Sequence, residues 1–279
     1  MRLNVGVNTA MFDGHDTDIA FATIFKAGFH YVELAYNQGY VGELRPDLFS
    51  ARHAEKILSL LEKHRLATHT LGATMDLAAD NAINAFSQRI KFASMIGARR
   101  LTVCLGRRAD QKLIIERLKM LSDIAAANQC IICIENGGDH NYNVFETAKD
   151  GYTLLDAVNS PALAFNIDAG NMVSLCPEMD AIAESMAMLP SAAHCHIKDV
   201  KVINGEYYFP AIGEGILNYP PLLNALADKK IPCSLEIPLR MHRNMDSYPV
   251  RAQTPVPVNL SLEILKKSRL TLESWLTSE

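Results

Sequence analysis

Short apolar runs alternate along this chain with longer segments in which apolar residues recur every three or four positions. The first pattern predicts buried β-strands and the second predicts amphipathic helices. Strands are expected near Leu3 to Asn8, Tyr31 to Ala35, Ala67 to Leu71, Arg100 to Leu105, Ile131 to Glu135, Leu163 to Asp168, Ala193 to Ile197 and Cys233 to Ile237. Helices are expected over Asp16 to Lys26, ending before Gly28 as a C-cap, and over Ala54 to His64, Lys112 to Asn128, Pro220 to Ala227 and Leu260 to Leu276. The methionine-rich stretch from Met179 to Leu189 reads as a further helix packed on the sheet. Eight strand-helix repeats without a linker predict a parallel sheet closed into a (β/α)8 TIM barrel, one α/β domain over residues 1–279. An open doubly wound sheet is the competing architecture. Its usual G-x-G-x-x-G turn is missing after the first strand, where N-T-A-M-F stands instead.

Two stretches break the rhythm. Residues 199–218 are too long for a simple connection and contain a hairpin signal at Asn204-Gly205. Residues 238–257, punctuated by Pro238, Pro249, Pro255 and Pro257, form a second excursion. Long loops of this kind are usually functional or bind a partner, and both are expected to cover the barrel mouth or a neighbouring subunit.

Both excursions follow strands that end in candidate ligands. Glu135, Asp168, His196 and Glu236 end strands five to eight. In a parallel barrel those ends open on one face, where the chemistry of the fold is found. Any one carboxylate there is more often a helix N-cap or a surface ion pair, whereas three carboxylates and an imidazole at successive strand ends predict a site. Three clustered carboxylates repel one another unless a cation joins them, so a divalent metal is expected. Oxygen-rich ligation with one imidazole favours Mn²⁺, with Mg²⁺, Co²⁺ or Zn²⁺ also compatible. Two residues earlier on the same strand faces stand Cys133, Asn166, His194 and Ser234, candidates for holding the ligands in place.

Glu33 and His69, on strands two and three, are well placed to meet substrate hydroxyls, although Glu33 reads equally as the partner of a lysine and His69 as a satisfied core histidine; Asn8 at the end of strand one is a weaker candidate for the same role. Lys198, two residues beyond His196, should share its face and could steady an oxyanion; the alternative is a solvated ammonium paired with Asp199 or Glu206. Arg107, Arg108, Arg240, Arg243 and Arg251 are candidates for holding a phosphate or carboxylate, and the sequence does not choose among them.

Composition narrows the class. A net charge of −4 without a basic run argues against nucleic-acid and anionic-membrane partners. No segment has the apolar length of a membrane span, and a cytoplasmic protein is expected. The six cysteines make no paired metal-finger spacing. Cys130 and Cys133 form C-x-x-C within a strand, where their side chains face opposite ways, so reduced thiols are expected.

The chain resembles, from end to end, the xylose isomerase-like TIM-barrel family of sugar-phosphate isomerases and epimerases. The resemblance is carried by G-F-H-Y-V-E-L at 28–34, I-E-N at 134–136, N-I-D-A-G-N at 166–171, H-I-K-D-V at 196–200, I-G-E-G-I-L-N-Y at 212–219 and S-L-E at 234–236. The run from H-I-K-D to G-E-G is most similar to the L-xylulose- and L-ribulose-5-phosphate 3-epimerases. The resemblance implies one divalent metal on Glu135, Asp168, His196 and Glu236, proton transfer by Glu135 and Glu236, and a small carbohydrate substrate. Asn171, three residues past Asp168, falls in the substrate region; epimerases of free ketohexoses often carry histidine there, which argues against that substrate. Endonuclease IV shares the barrel but uses extra histidines for three zinc ions, and here Cys104 and Asn171 stand at two of those places. Related dehydratases of inosose or 3-dehydroshikimate carry a similar metal site and form the alternative. Partners beyond substrate are limited to further copies of the chain.

Overall fold

The computed structural model describes residues 3–277. Eight parallel strands close into a barrel: β1 (Val5–Asn8), β2 (Tyr31–Ala35), β3 (Ala67–Gly72), β4 (Arg100–Val103), β5 (Ile131–Glu135), β6 (Leu163–Asp168), β7 (Ala192–Ile197) and, later in the chain, β10 (Cys233–Leu235). Each pairs with its sequence neighbour, and β1 closes the ring against β10. This is the expected (β/α)8 barrel. The strands are covered by α1 (Thr17–Lys26), α2 (Ala51–Lys63), α3 (Ala82–Met95), α4 (Gln111–Ala127), α5 (Ala148–Val158), α6 (Ala169–Leu175), α7 (Ala181–Met188), α8 (Pro220–Lys229) and α9 (Val258–Thr277). No described helix is long and apolar enough to cross a membrane.

Local chemistry sets the ends of these elements. The Ser50 side chain accepts from His53 N and starts α2. Thr147 and Asp150 cap each other reciprocally at the start of α5. Gly28 follows α1 at φ +91°, a left-handed conformation that costs glycine nothing. The apolar faces of the helices bury Phe21, Ile57, Phe86, Leu118, Leu154 and Leu223 against the strands. Free thiols account for all six cysteines.

The two excursions meet in a second sheet. β8 (Lys201–Ile203) and β9 (Glu206–Tyr208) form the expected hairpin, with Asn204 and Gly205 at positive φ in its turn. β11 (Met241–Arg243) and β12 (Pro249–Arg251) form another, and the two hairpins join in the order β12-β11-β9-β8. The joint is a single paired position, Arg243 opposite Tyr207. The proline punctuation hid β11 and β12. Pro249 sits at the first position of an edge strand, where a missing N–H is tolerated.

Candidate metal and catalytic site

Register brings the strand-end residues together. Asp168 pairs with His196, His196 pairs with Ser234, and Glu135 pairs with Asn166. Glu236 lies one residue beyond the end of β10 and holds its place by donating its backbone N–H to Ile197 O at 3.1 Å. The result is a compact group: one ligand atom each from Glu135, Asp168, His196 and Glu236 lies within 4.8 Å of the others. His196 Nδ1 is 3.3 Å from Glu135 Oε1, 3.5 Å from Glu236 Oε2 and 3.8 Å from Asp168 Oδ2.

Asp168 is both a cap and a candidate ligand. Its Oδ1 accepts from Asn171 N at 3.0 Å at the start of α6. Its Oδ2 is buried without a well-formed hydrogen bond, although Lys198 Nζ lies 2.7 Å away. A buried carboxylate oxygen left this way, pointing at two further carboxylates and an imidazole nitrogen, fits a bound cation. The carboxylates bias the imidazole in the same sense. Burial alone would lower the His196 pKa, but Glu236, Glu33 and Glu135 outweigh it and raise it well above its ordinary value. A field that favours a protonated imidazole equally favours a metal ion in competition with that proton. The buried cluster could therefore hold a metal.

A layer of partners lies beneath. Asn166 Nδ2 donates to Glu135 Oε2 at 3.0 Å and sits 3.1 Å from His196 Nδ1, while its Oδ1 faces His194 Nδ1 at 2.8 Å. His194 Nε2 reaches Ser234 Oγ at 3.3 Å. Three of the four residues at this level are thus joined in one chain. Cys133 stands apart, with only a weak contact from its Sγ to Ile131 O at 4.0 Å.

Glu33, expected to meet substrate hydroxyls, belongs to this lower layer. It is fully buried, with its carboxylate engaged by His196 Nε2 at 3.0 and 3.2 Å and by Thr102 Oγ1 at 2.9 Å. It steers the imidazole from below. His69 is not brought to the site at all. Between β2 and β3 the register passes from Val32–Thr68 to Glu33–Thr70, so His69 bulges out of the ladder. Its exposed ring packs on Tyr31, with centroids 4.9 Å apart, beside Asn4 and Pro232 at the opposite end of the barrel. Asn8 is close to the cluster, with Nδ2 3.5 Å from Glu236 Oε1.

Lys198 is buried, and its Nζ lies 2.5 Å from Glu236 Oε2 and 2.9 Å from Asn171 Oδ1. Burial would lower its pKa, but Asp168 and Glu236 raise it above the ordinary lysine value. Neither solvated partner considered for it is used. Asp199 instead accepts from the backbone N–H groups of Val200, Gly213 and Gly215, each at 2.9 Å, and so folds the loop that follows. A Cβ on Gly215 would stand 2.1 Å from Asp199 Oδ1, which explains the second glycine of G-E-G, while the first, Gly213, takes φ +91°. Tyr219 OH both accepts from Lys198 N at 3.0 Å and donates to Lys198 O at 2.8 Å, fixing the lysine backbone.

Asn171 links the cations to the acids. Its Nδ2 donates to Glu135 Oε1 and to Asn136 O, each at 2.9 Å, while its Oδ1 accepts from Lys198 and, at 2.6 Å, from Arg243 Nη2. Of the five candidate arginines, Arg243 alone enters the cluster; Arg108 pairs with Asp150 and Glu146 outside it, and Arg240 and Arg251 both hold Asp13. Sequence reasoning missed Tyr40, Asn136 and Met241. Asn136 exchanges two hydrogen bonds with the Asp168 backbone, at 2.7 and 2.9 Å; the sequence showed it as the last residue of I-E-N without pointing to this role. Glu135, Lys198 and Glu236 line a cavity of about 30 Å³ closed by Tyr40, Pro238 and Met241. The accessory sheet therefore supplies part of the roof.

A family model described as "Xylose isomerase-like TIM barrel" matches residues 21–254. The chain belongs to this family. Among solved structures it is similar to the probable 3-DHS dehydratase AsbF of Bacillus anthracis (16% identity, TM-score 0.73, covering 99% of this chain and 100% of that one). It is also similar to a D-psicose 3-epimerase of Clostridium cellulolyticum H10 (13%, TM-score 0.72, 98% of each). A third is the E. coli 3-keto-D-glucoside 4-epimerase YcjR (15%, TM-score 0.71, 98% and 99%). At these identities the likeness is one of fold. No curated protein sequence matches the chain.

Proposed function

We propose that this family member is a metal-dependent isomerase or epimerase of a small keto sugar or keto sugar phosphate. The observation that carries the reading is the disposition of Glu135 and Glu236. Both line the cavity, and they approach His196 Nδ1 from different strands at 3.3 and 3.5 Å. Glu135, Asp168, His196 and Glu236 would hold the ion, manganese being favoured by the oxygen-rich donor set. When bound, it would polarise a substrate carbonyl and its neighbouring hydroxyl, acidifying the adjacent C–H.

The chain's own residues account for the proton traffic. One glutamate removes the proton from carbon and the other delivers one to the opposite face of the enediolate, inverting configuration. The surroundings of the two acids differ in a useful way. Burial raises the proton affinity of Glu135, whereas for Glu236 the same burial is outweighed by His196 and Lys198, which keep it well below its ordinary pKa. Lys198 would stabilise the developing oxyanion, a role supported by the hydrogen bonds through which Asn171 joins Lys198 to Glu135. With a cavity of about 30 Å³ there is room for little more than one water, so Met241 and Pro238 must withdraw to admit a sugar. Closure behind it would exclude water from the enediolate.

A dehydratase acting on a cyclic keto acid or keto-inositol is the second reading. The buried ammonium of Lys198 at the cavity wall, which suits a substrate carboxylate, favours it. One experiment separates the two. A panel of keto sugars, keto sugar phosphates and keto acids is incubated with protein and Mn²⁺ in deuterated water and followed by mass spectrometry and NMR. Deuterium appearing on the carbon beside the carbonyl without loss of water is the expected result. Loss of water would establish the dehydratase, and absence of both reactions across the panel would overturn the assignment.

A further inference from the structure

Beside the metal cavity lies a larger one that the proposed reaction does not use. It has a volume of about 720 Å³, within the range of small-molecule sites, and lies between the loop after β2, the loop after β3 and one face of α3. The two cavities share a thin wall. Asn37, Tyr40 and Thr74 face the metal cavity, while Gln38, Val41 and Met75 line the groove.

The groove wall carries polar groups that the fold leaves unengaged. Asn81, Asn84 and Gln88 recur at the three- and four-residue spacing of one helix face, opposite the face that buries Phe86, Ile90 and Ala93. Asn81 makes no capping bond, and among the described residues Asn84 and Gln88 make no side-chain hydrogen bond. Primary amides offer a donor and an acceptor together, the combination that hydroxyl groups require.

Next to them is Arg89, 5% exposed and lining the same groove. Its Nη1 donates to Tyr36 O at 2.6 Å and to Ala73 O at 3.5 Å, and its guanidinium lies 4.7 Å above the Phe49 ring. Its Nε is buried with no acceptor, and among the described residues no carboxylate pairs with it. Burial pulls the guanidinium down to about 10, consistent with a cation that lacks a counter-charge. A buried charge without a partner is expensive and is normally paired.

We infer that this groove is a second binding site, taking an anionic polyhydroxylated compound of the sugar-phosphate class, with the anion toward Arg89 and hydroxyls along the amides of α3. Calorimetric titration of the wild-type protein with glucose 6-phosphate, inorganic phosphate and glucose tests it, before and after removal of metal by chelation. The sugar phosphate is expected to bind with a Kd of about 1 mM or tighter, inorganic phosphate about tenfold more weakly, and glucose not at all, with no change on chelation. Asn84→Asp sets a carboxylate on the exposed helix face, where folding is not at stake, and should weaken binding at least about tenfold. Arg89→Met should do the same and Arg89→Lys much less. Absence of binding by both anions, unaltered binding in Asn84→Asp, or loss of binding on chelation, which would put the ligand at the metal cluster, overturns the inference. The reaction at the metal cavity stands or falls on deuterium incorporation, which this titration does not measure.

Discussion

His194 and His196 stand two residues apart on one strand face, equally buried, in two successive layers of the barrel. Burial dominates at His194 and pushes its pKa down to about 3, despite Glu33 nearby. At His196 burial acts in the same direction and loses, because Glu236, Glu33 and Glu135 surround the ring. One histidine is thus a neutral hydrogen-bonding strut and the other a proton or metal holder. Depth does not separate them; the number of carboxylates within reach does.

The largest expected effects fall on the upper layer. Glu135→Gln and Glu236→Gln should each lower turnover by about a hundredfold or more, measured at verified metal content on the substrate found by deuterium exchange. Glu236→Gln should also weaken the metal, since an amide is a poorer ligand for a hard cation. Turnover near the original rate in Glu135→Gln would remove the two-acid mechanism.

Glu33→Gln probes the link between layers. It keeps shape but weakens the hold on His196 Nε2, and metal affinity should fall about ten- to a hundredfold by competition with a chelating dye. Equal affinity would show that the imidazole is oriented without Glu33.

A pH series separates the two histidines directly. A protonated His196 stabilises the metal-free protein at low pH, and that contribution is lost as pH rises through its raised pKa. Metal requires the neutral ring, so the rise in Tm produced by Mn²⁺ should keep growing with pH above the ordinary histidine value of about 6.5. His194 should show no titration by imidazole NMR between about pH 5 and 9. A constant Mn²⁺ shift across this range would contradict the assignment of His196.

The smallest effect lies away from both layers and serves as a reference. Asp150 caps α5 and pairs with Arg108 at 2.9 Å. Burial, the largest single influence, raises its pKa, but Arg108 and the Thr147 and Glu146 amides together outweigh it, and the net shift is downward. Its stabilisation is therefore present above the unfolded value and lost as pH falls through the lowered one. Asp150→Ala should cost about 1 kcal/mol in urea unfolding at pH 7 and much less near pH 3, with metal binding unchanged.

Much of this was legible in the chain itself. Apolar runs located all eight barrel strands, because a strand covered on both faces must be apolar nearly throughout. They were less accurate at the ends: strand eight was expected to reach Ile237 and stops at Leu235, so Glu236 stands on the loop side of it. The sequence sets no bounds for α3, α5 or α6; Asn84 and Gln88 interrupt the apolar spacing of the first and Gly151 that of the second, and the third is only seven residues long. Four acids and imidazoles at successive strand ends were enough to point to a cluster, because parallel strands bring those ends to one rim.

Facing and long-range pairing were decided only in three dimensions. His69 lies on a barrel strand as expected, yet a one-residue bulge leaves it at the opposite mouth of the barrel, against Tyr31, and local periodicity carries no sign of a slip in register against a neighbour. Glu33 lies a layer below the four strand-end residues, with its carboxylate taken up by His196 and Thr102, a matter of strand stagger around the ring. The choice of Arg243 among five arginines depends on β11 finding β9 more than thirty residues away, through the single pair of Arg243 with Tyr207. The sequence by itself determined the repeat and the chemistry of the strand ends, because both follow from short-range alternation. Only the closed barrel decided which side chains share a layer, because that depends on register between strands distant in the chain.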